Sequence, residues 1–168
     1  MANTIWGNHD DYLGMSNGAT DVLLTTLCLS GSRIAVTEHE KDFIVFLAER
    51  DQSVVGIGTV GFHIGEMPWN RDSLTQDKAF MIKVTDSAIS GLGREMLSYD
   101  PPEKFLIPNL RHFRRLIEAM EIDWIQEKDI AEWYEAKEEN EPGNKNYPYC
   151  KKHHILLTCF GCIACNDE

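Results

Sequence analysis

Close to its C-terminus the chain concentrates side chains that bind metals. Four of the five cysteines and two adjacent histidines fall between residues 150 and 165 of the 168-residue sequence. Two residues separate Cys150 from His153, and two separate Cys162 from Cys165. Each spacing places two ligand atoms on one tight turn, and two such turns facing each other can surround a tetrahedral zinc. The sequence therefore predicts a C-terminal zinc-binding hairpin in which the metal is structural.

The ligand set has alternatives at two positions. His154 can replace His153, and Cys159 competes with Cys162. Buried free thiols, or a disulfide with a redox role, are the other interpretations of these cysteines. The chain has five cysteines, an odd number, and four of them are clustered, which favours a metal site in a reducing compartment. Mixed Cys/His ligation favours zinc over redox-active metals.

Apolar side chains recur at helical spacing through the rest of the chain, which predicts a mainly α fold with minor β structure. Thr37 and Glu40 have the spacing of a capping box at a helix start. Gly31 is interpreted as the stop signal of the first helix. The predicted helices cover residues 21–30, 38–50, 72–92, 103–119 and 127–138.

The segments between these helices are harder to assign. The first 16 residues are polar and are expected to form a loosely held lead-in. Residues 53–69 are rich in glycine and predict one or two short strands or an irregular buried loop. A change of composition around residues 140–146 predicts a linker, so we expect a helical single domain over 1–144 and a Cys/His-rich zinc-binding tail over 145–168.

Charge restricts the class of partner. The chain has 27 acidic and 16 basic residues, for a formal net charge of -11. A nucleic-acid binder normally carries a basic face, so direct nucleic-acid binding is disfavoured and a basic protein is the better electrostatic complement. Neither an apolar run of spanning length nor a secretory signal is visible, so we expect no membrane association and a cytoplasmic protein.

Acidic residues are densest between residues 121 and 141, where nine of them face two lysines. Glu132, Glu135 and Glu139 are spaced so that they share one helix face, and Trp133 is interleaved with them. One interpretation is a solvated helix face whose aromatic residues pack inward. The other is a partner-binding surface, in which the acidic residues steer a basic protein and Trp133 anchors it.

Catalysis is not expected, because no known catalytic constellation is present. Gly56, Gly58 and Gly61 match a dinucleotide fingerprint, but no helix start follows them, so we favour close backbone packing. The tetrapeptide at residues 7–10 matches a phosphoesterase motif but lacks preceding metal ligands, and chance is the better account. His39, His63 and His112 are isolated in the sequence, as packing or hydrogen-bonding histidines usually are.

Several stretches resemble small bacterial immunity proteins of polymorphic toxin and contact-dependent growth inhibition systems. They are residues 40–52, residues 55–64 with Pro68 and Trp69, and the tail motif of Cys150, His153 and residues 160–166. The similarity extends over about residues 35–166, and His63 departs from the acidic residue expected at its position. What this resemblance implies is a non-catalytic inhibitor that binds one cognate toxin, often a nuclease, and covers its active site or substrate surface. A zinc-bearing adaptor or regulatory module in a protein complex is the alternative.

Overall fold

The structure, a computed structural model, describes residues 3–8, 10–140 and 147–168. Five α-helices account for most of it, and a small three-stranded sheet completes it, so the predicted mainly helical class with minor β structure is confirmed. His9 and residues 141–146, which include the predicted domain boundary, lie outside the described residues. The helices are α1 (Asn17–Ile34), α2 (Glu38–Ala48), α3 (Leu74–Ile89), α4 (Glu103–Ala119) and α5 (Glu127–Asn140).

Helix α1 is longer than its sequence pattern predicts. Ser16 begins it by accepting a hydrogen bond from the Ala19 amide at 3.1 Å. The predicted stop at Gly31 is wrong, because α1 continues through this residue to Ile34. A Cβ atom on Gly31 would lie 2.2 Å from Cδ1 of Ile44, so glycine is needed here for the close approach of α1 and α2.

Local signals place the starts of α2 and α4 correctly. In the capping box of α2, Thr37 Oγ1 accepts from the Glu40 amide at 3.1 Å, and Glu40 Oε1 accepts from the Thr37 amide at 3.0 Å. Helix α4 occupies the predicted range and packs along α3 and α1. Leu110 and Phe113 of α4 are fully buried, as expected for its apolar stripe.

The N-terminal residues are ordered into the sheet, so the expected loose lead-in is wrong for the described part of this segment. Strand β1 (Thr4–Trp6) lies between β2 (Tyr12–Gly14), which runs antiparallel to it, and β3 (Phe62–His63), which runs parallel. Ile5 and Leu13 face the core and are buried. An apolar residue at one position in two is a weak signal in so short a strand, which is why the sequence did not reveal it.

The C-terminal segment packs into the same hydrophobic core as the helices. Ile155 and Leu156 are fully buried, and the Leu156 amide donates to Ser32 Oγ of α1 at 3.1 Å. The residues that carry the cysteine cluster are therefore attached directly to α1.

A buried carboxylate ties α5 and the start of the tail to α2. Tyr134 of α5 donates to Asp42 at 2.9 Å, and Tyr147 donates to the other oxygen of the same carboxylate. Burial raises the pKa of Asp42, although both tyrosine hydrogen bonds act to lower it. None of the described helices combines the length and the apolar character needed to cross a membrane.

Candidate metal centre

The four residues predicted as zinc ligands come from two short turns. In the first turn, the Cys150 amide donates to Ile155 O at 2.7 Å and the His154 amide donates to Cys150 O at 2.8 Å. In the second, the amides of Cys165 and Asn166 point back towards Cys162, at 3.5 Å from its sulfur and 3.1 Å from its carbonyl oxygen. Each turn therefore holds its pair of ligand residues in a fixed relative orientation.

The two turns bring the four ligand atoms into one cluster. One ligand atom from each of Cys150, His153, Cys162 and Cys165 lies within 4.8 Å of all the others. Nδ1 of His153 is 3.8 Å from the Cys150 sulfur, 3.6 Å from the Cys162 sulfur and 3.3 Å from the Cys165 sulfur. The sulfurs of Cys150 and Cys165 are 3.7 Å apart.

These spacings match the edges of a metal-centred tetrahedron. Zinc bonds of about 2.3 Å to sulfur and about 2.0–2.1 Å to nitrogen place two sulfurs about 3.8 Å apart and a sulfur and a nitrogen about 3.6 Å apart. A disulfide between Cys150 and Cys165 would instead require about 2.05 Å, and both thiols are free. The cluster can therefore bind a metal ion as it stands.

The structure resolves both alternatives left open by the sequence. His153 is 3% exposed and directs its ring at the thiols, whereas His154 is exposed and has φ of 58°, a left-handed conformation that the turn requires. Cys162 is buried in the cluster, whereas Cys159 is exposed and lies outside it. Sequence spacing alone could not show which of these residues is the ligand, because side chains at neighbouring positions of a turn point in different directions.

Glu168 belongs to the candidate metal centre and has no signal in the sequence. Its Oε1 lies 3.0 Å from Nε2 of His153. A carboxylate only accepts hydrogen bonds, so Nε2 carries the proton and Nδ1 presents its lone pair to the cluster. Carboxylates in this position orient metal-binding histidines and raise their basicity. No local signal marks Glu168, since its role depends on a contact 15 residues away.

The thiols of the cluster differ in how readily they ionise. Burial opposes ionisation of Cys150, but hydrogen bonds from the backbone amides of His153 and Lys152 help to outweigh this effect and lower the pKa of the thiol to about 6. Burial raises the pKa of Cys162 to about 12. Thiolates are the metal-binding form, and Cys150 reaches this form more readily than Cys162.

Four protein ligands fill a tetrahedral shell and leave no open position for a substrate. This arrangement suits a metal that joins the two turns and fixes them on α1. The three histidines that are isolated in the sequence have hydrogen-bonding partners, as expected: His39 bonds Asp77, His63 bonds Asn8 and His112 bonds Asp11.

The predicted partner-binding residues lie apart from the metal cluster, on α5. Glu132, Glu135 and Glu139 are all exposed. Trp133 is partly buried, with its ring 6.0 Å from that of Phe46 and its indole nitrogen 3.3 Å from a carboxylate oxygen of Glu49. Part of its surface therefore attaches α5 to the core.

Comparison of the chain with protein-family models, curated proteins and solved structures finds no match.

Proposed function

We propose that this chain is an immunity protein that binds a cognate toxin domain through a basic surface of the toxin. It neutralises the toxin, for example a nuclease, by covering its active site or substrate surface. The observation that carries the proposal is the exposed acidic face of α5, formed by Glu132, Glu135 and Glu139 and hereafter called the acidic face.

The charge of the acidic face is only slightly compensated. Lys128 approaches Glu132 at 3.9 Å, and both side chains are largely exposed, so this pair contributes little. Within the described ranges, Glu135 and Glu139 form no ion pair. Clustered like charges repel each other, and a cationic partner would relieve that repulsion.

Helix α5 holds the acidic face in a defined orientation. Trp133 packs against Phe46, and Tyr134 donates to Asp42, so the aromatic side chains attach the helix to α2. A surface held in place before binding loses little conformational entropy on binding, which favours affinity. The inward packing of aromatic residues and a partner-binding role are therefore compatible, because the acidic side chains of the same helix remain exposed.

The groove between the start of α1 and α4 has the apolar lining of a binding surface. It has a volume of about 510 Å³ and is lined mainly by apolar side chains such as Met15, Val22, Phe105 and Leu106. Its lining residues include no Asp, Glu, His, Lys or Cys that could transfer a proton or attack a substrate.

We propose zinc as the metal of the cysteine cluster, in a structural role. Three thiolates and one imidazole in a tetrahedral arrangement suit zinc, and hard cations prefer oxygen ligands. Metal analysis of freshly purified protein should give about one zinc per chain. A chain that purifies folded without zinc would contradict this assignment.

The test of the proposal is binding to the product of an adjacent toxin gene. We expect the two proteins to copurify, and the toxin's activity to be lost in the complex. Reversing the charge of the acidic face with Glu132→Lys, Glu135→Lys and Glu139→Lys should slow association by at least about tenfold at low salt and flatten its salt dependence, because steering acts mainly on the association rate.

The control is an equal change of net charge elsewhere on the surface. Asp10→Lys, Asp72→Lys and Asp100→Lys alter three exposed residues on other segments and should have a much smaller effect. If both triple variants behave alike, net charge matters and the acidic face is not the interface. If no toxin gene is adjacent and the chain copurifies with a multiprotein complex, the adaptor alternative replaces the proposal.

A further inference from the structure

A second cluster of possible ligands lies beside the cysteine cluster and contains only carboxylates. Asp21 is near the start of α1, Asp51 follows α2, and Asp167 lies in the 3-10 helix Cys165–Asp167. One oxygen from each of the three lies within 4.8 Å of the other two. Residues distant in the sequence thus converge on one small volume.

The buried member of this cluster has an oxygen without a partner. Asp51 is only 4% exposed, and its Oδ1 accepts hydrogen bonds from the amide and hydroxyl of Ser53 at 3.0 Å and 2.5 Å. Its Oδ2 and Oδ1 of Asp21 are buried and have no hydrogen-bond partner among the described residues. Burying a carboxylate oxygen without a hydrogen-bond partner costs free energy, and a bound cation would offset this cost. The two oxygens therefore point to a cation as their ligand.

The surrounding charges do not supply that species. Of the Lys, Arg and His side chains in ranges 3–8, 10–140 and 147–168, none forms an ion pair with Asp21, Asp51 or Asp167. Three carboxylates therefore face each other, and like charges at such separations repel strongly when they are partly removed from water.

We propose that Asp21, Asp51 and Asp167 form a second metal site, which binds a hard divalent cation through oxygen ligands. Calcium bonds oxygen at about 2.3–2.6 Å, so two oxygens of its shell can be up to about 5 Å apart. The three carboxylate oxygens, each within 4.8 Å of the other two, meet this condition. Carboxylate oxygens select cations of the calcium, magnesium and manganese type, whereas the adjacent thiolates and imidazole select zinc.

The location of the site gives the cation a structural consequence. Asp167 shares its 3-10 helix with the cluster residue Cys165, while Asp21 and Asp51 belong to the helical body. A cation here would close the end of the tail onto α1 and onto the segment after α2. The two metal sites would then attach neighbouring points of the tail to the same body.

A shared proton is the competing explanation. Burial, together with the charges of Asp167 and Asp51, raises the pKa of Asp21 to about 8. A protonated Asp21 could donate a hydrogen bond within the cluster without a metal. The two explanations predict different results, because the stability of the protein depends on the metal concentration only if a cation binds.

The experiment titrates the zinc-loaded full chain separately with Ca²⁺, Mg²⁺ and Mn²⁺ in metal-free buffer, by calorimetry and by thermal unfolding. We expect one of these cations to bind with a stoichiometry of about one and to raise Tm, since a ligand that binds only the folded state stabilises it. Asp51→Asn should weaken binding by at least about tenfold. The variant should retain its zinc, which separates this site from the cysteine cluster.

The matched control is Asp123→Asn, which removes one exposed carboxylate from a 3-10 helix elsewhere and should bind like wild type. If Asp51→Asn does not fold, Asp21→Asn tests the same site from the partly exposed surface of α1. Binding that is equal in wild type and in these variants would overturn the proposal. So would a chain whose Tm responds to pH but to none of the three cations at millimolar concentration.

Discussion

Replacing Cys162 with Ser should release the metal and detach residues 147–168 from the helices. Cys162 is the most buried thiol of the cluster, and its sulfur lies 3.6 Å from Nδ1 of His153. A serine hydroxyl is a poor substitute for a thiolate at a zinc site. The tail is too short to build a core of its own, so we expect its docking to depend on the metal together with the contacts it makes to α1.

The expected loss of stability follows from the side chains that the tail buries. Ile155, Leu156 and Ile163 are at most 3% exposed and belong to the main core. Burial of each contributes about 1.5–3 kcal/mol, or about 5–9 kcal/mol together. Release of the chain's conformational entropy offsets part of this loss, so we expect a net decrease of about 3 kcal/mol in the free energy of unfolding. For a chain of this size that corresponds to a fall in Tm of about 6–12 °C.

Three measurements test this prediction. Metal analysis should show loss of zinc from the variant, and thermal unfolding should show the lower Tm. Limited trypsin digestion should cut at Lys151 and Lys152, which are exposed and become accessible to the protease once the turn opens. Cys159→Ser is the matched control, because Cys159 lies in the same tail but outside the cluster, and we expect it to change stability by less than about 0.5 kcal/mol.

Two results would refute the reasoning. If Cys162→Ser retained one zinc per chain, the metal would be held by other ligands. If zinc were lost but trypsin resistance and Tm matched those of Cys159→Ser, apolar contacts alone would dock the tail.

Three further predictions concern single contacts. Glu168→Gln should weaken zinc affinity by about tenfold, measured by chelator competition, because the histidine loses a charged orienting partner. His39 lies 3.0 Å from Asp77, and this hydrogen bond raises the pKa of His39 above 6.5. The stabilisation from this pair should therefore be complete below pH 6.5 and be lost as the pH rises through the higher pKa of the folded state. Between about pH 6 and about pH 8, the free energy of unfolding should fall less in His39→Gln than in wild type. Tyr147→Phe should lower the free energy of urea unfolding by about 1–3 kcal/mol, since it removes a hydrogen-bond donor to the buried carboxylate of Asp42.

Each of these has a control or an opposing result. Tyr149→Phe alters an exposed tyrosine two residues away from Tyr147 and should be nearly neutral. An unchanged zinc affinity in Glu168→Gln would mean that the carboxylate does not orient His153. Parallel pH profiles for wild type and His39→Gln would show that this histidine does not contribute to the pH dependence.

Patterns within a few residues were sufficient to predict several features correctly. The capping box of Thr37 and Glu40 predicts the start of α2, and the apolar stripe of residues 103–119 predicts α4, because both depend on contacts inside one or two helical turns. The Cys-x2-His and Cys-x2-Cys spacings likewise identify the four residues that the structure brings together, since each pair is fixed by its own turn.

Tertiary packing decided the features that local patterns misrepresent. Gly31 has the appearance of a helix stop, yet α1 passes through it, and the glycine instead leaves the space that Ile44 of α2 occupies. Ile5 lies in a polar segment, yet parallel pairing with Phe62 makes its strand the centre of the sheet. The choice of His153 over His154 depends on the orientation of one turn against the body.

The cysteine cluster and the carboxylate cluster also depend on contacts that no local sequence pattern predicts. Glu168 reaches His153 across 15 residues, and Asp21 approaches Asp167 from near the other end of the chain. Neither relation has a repeat or spacing that a sequence can display, because each arises only when α1, the segment after α2 and the tail pack together. Composition and spacing determined that this chain would have helices and a cysteine cluster, whereas the packing of α1 determined which side chains meet around it.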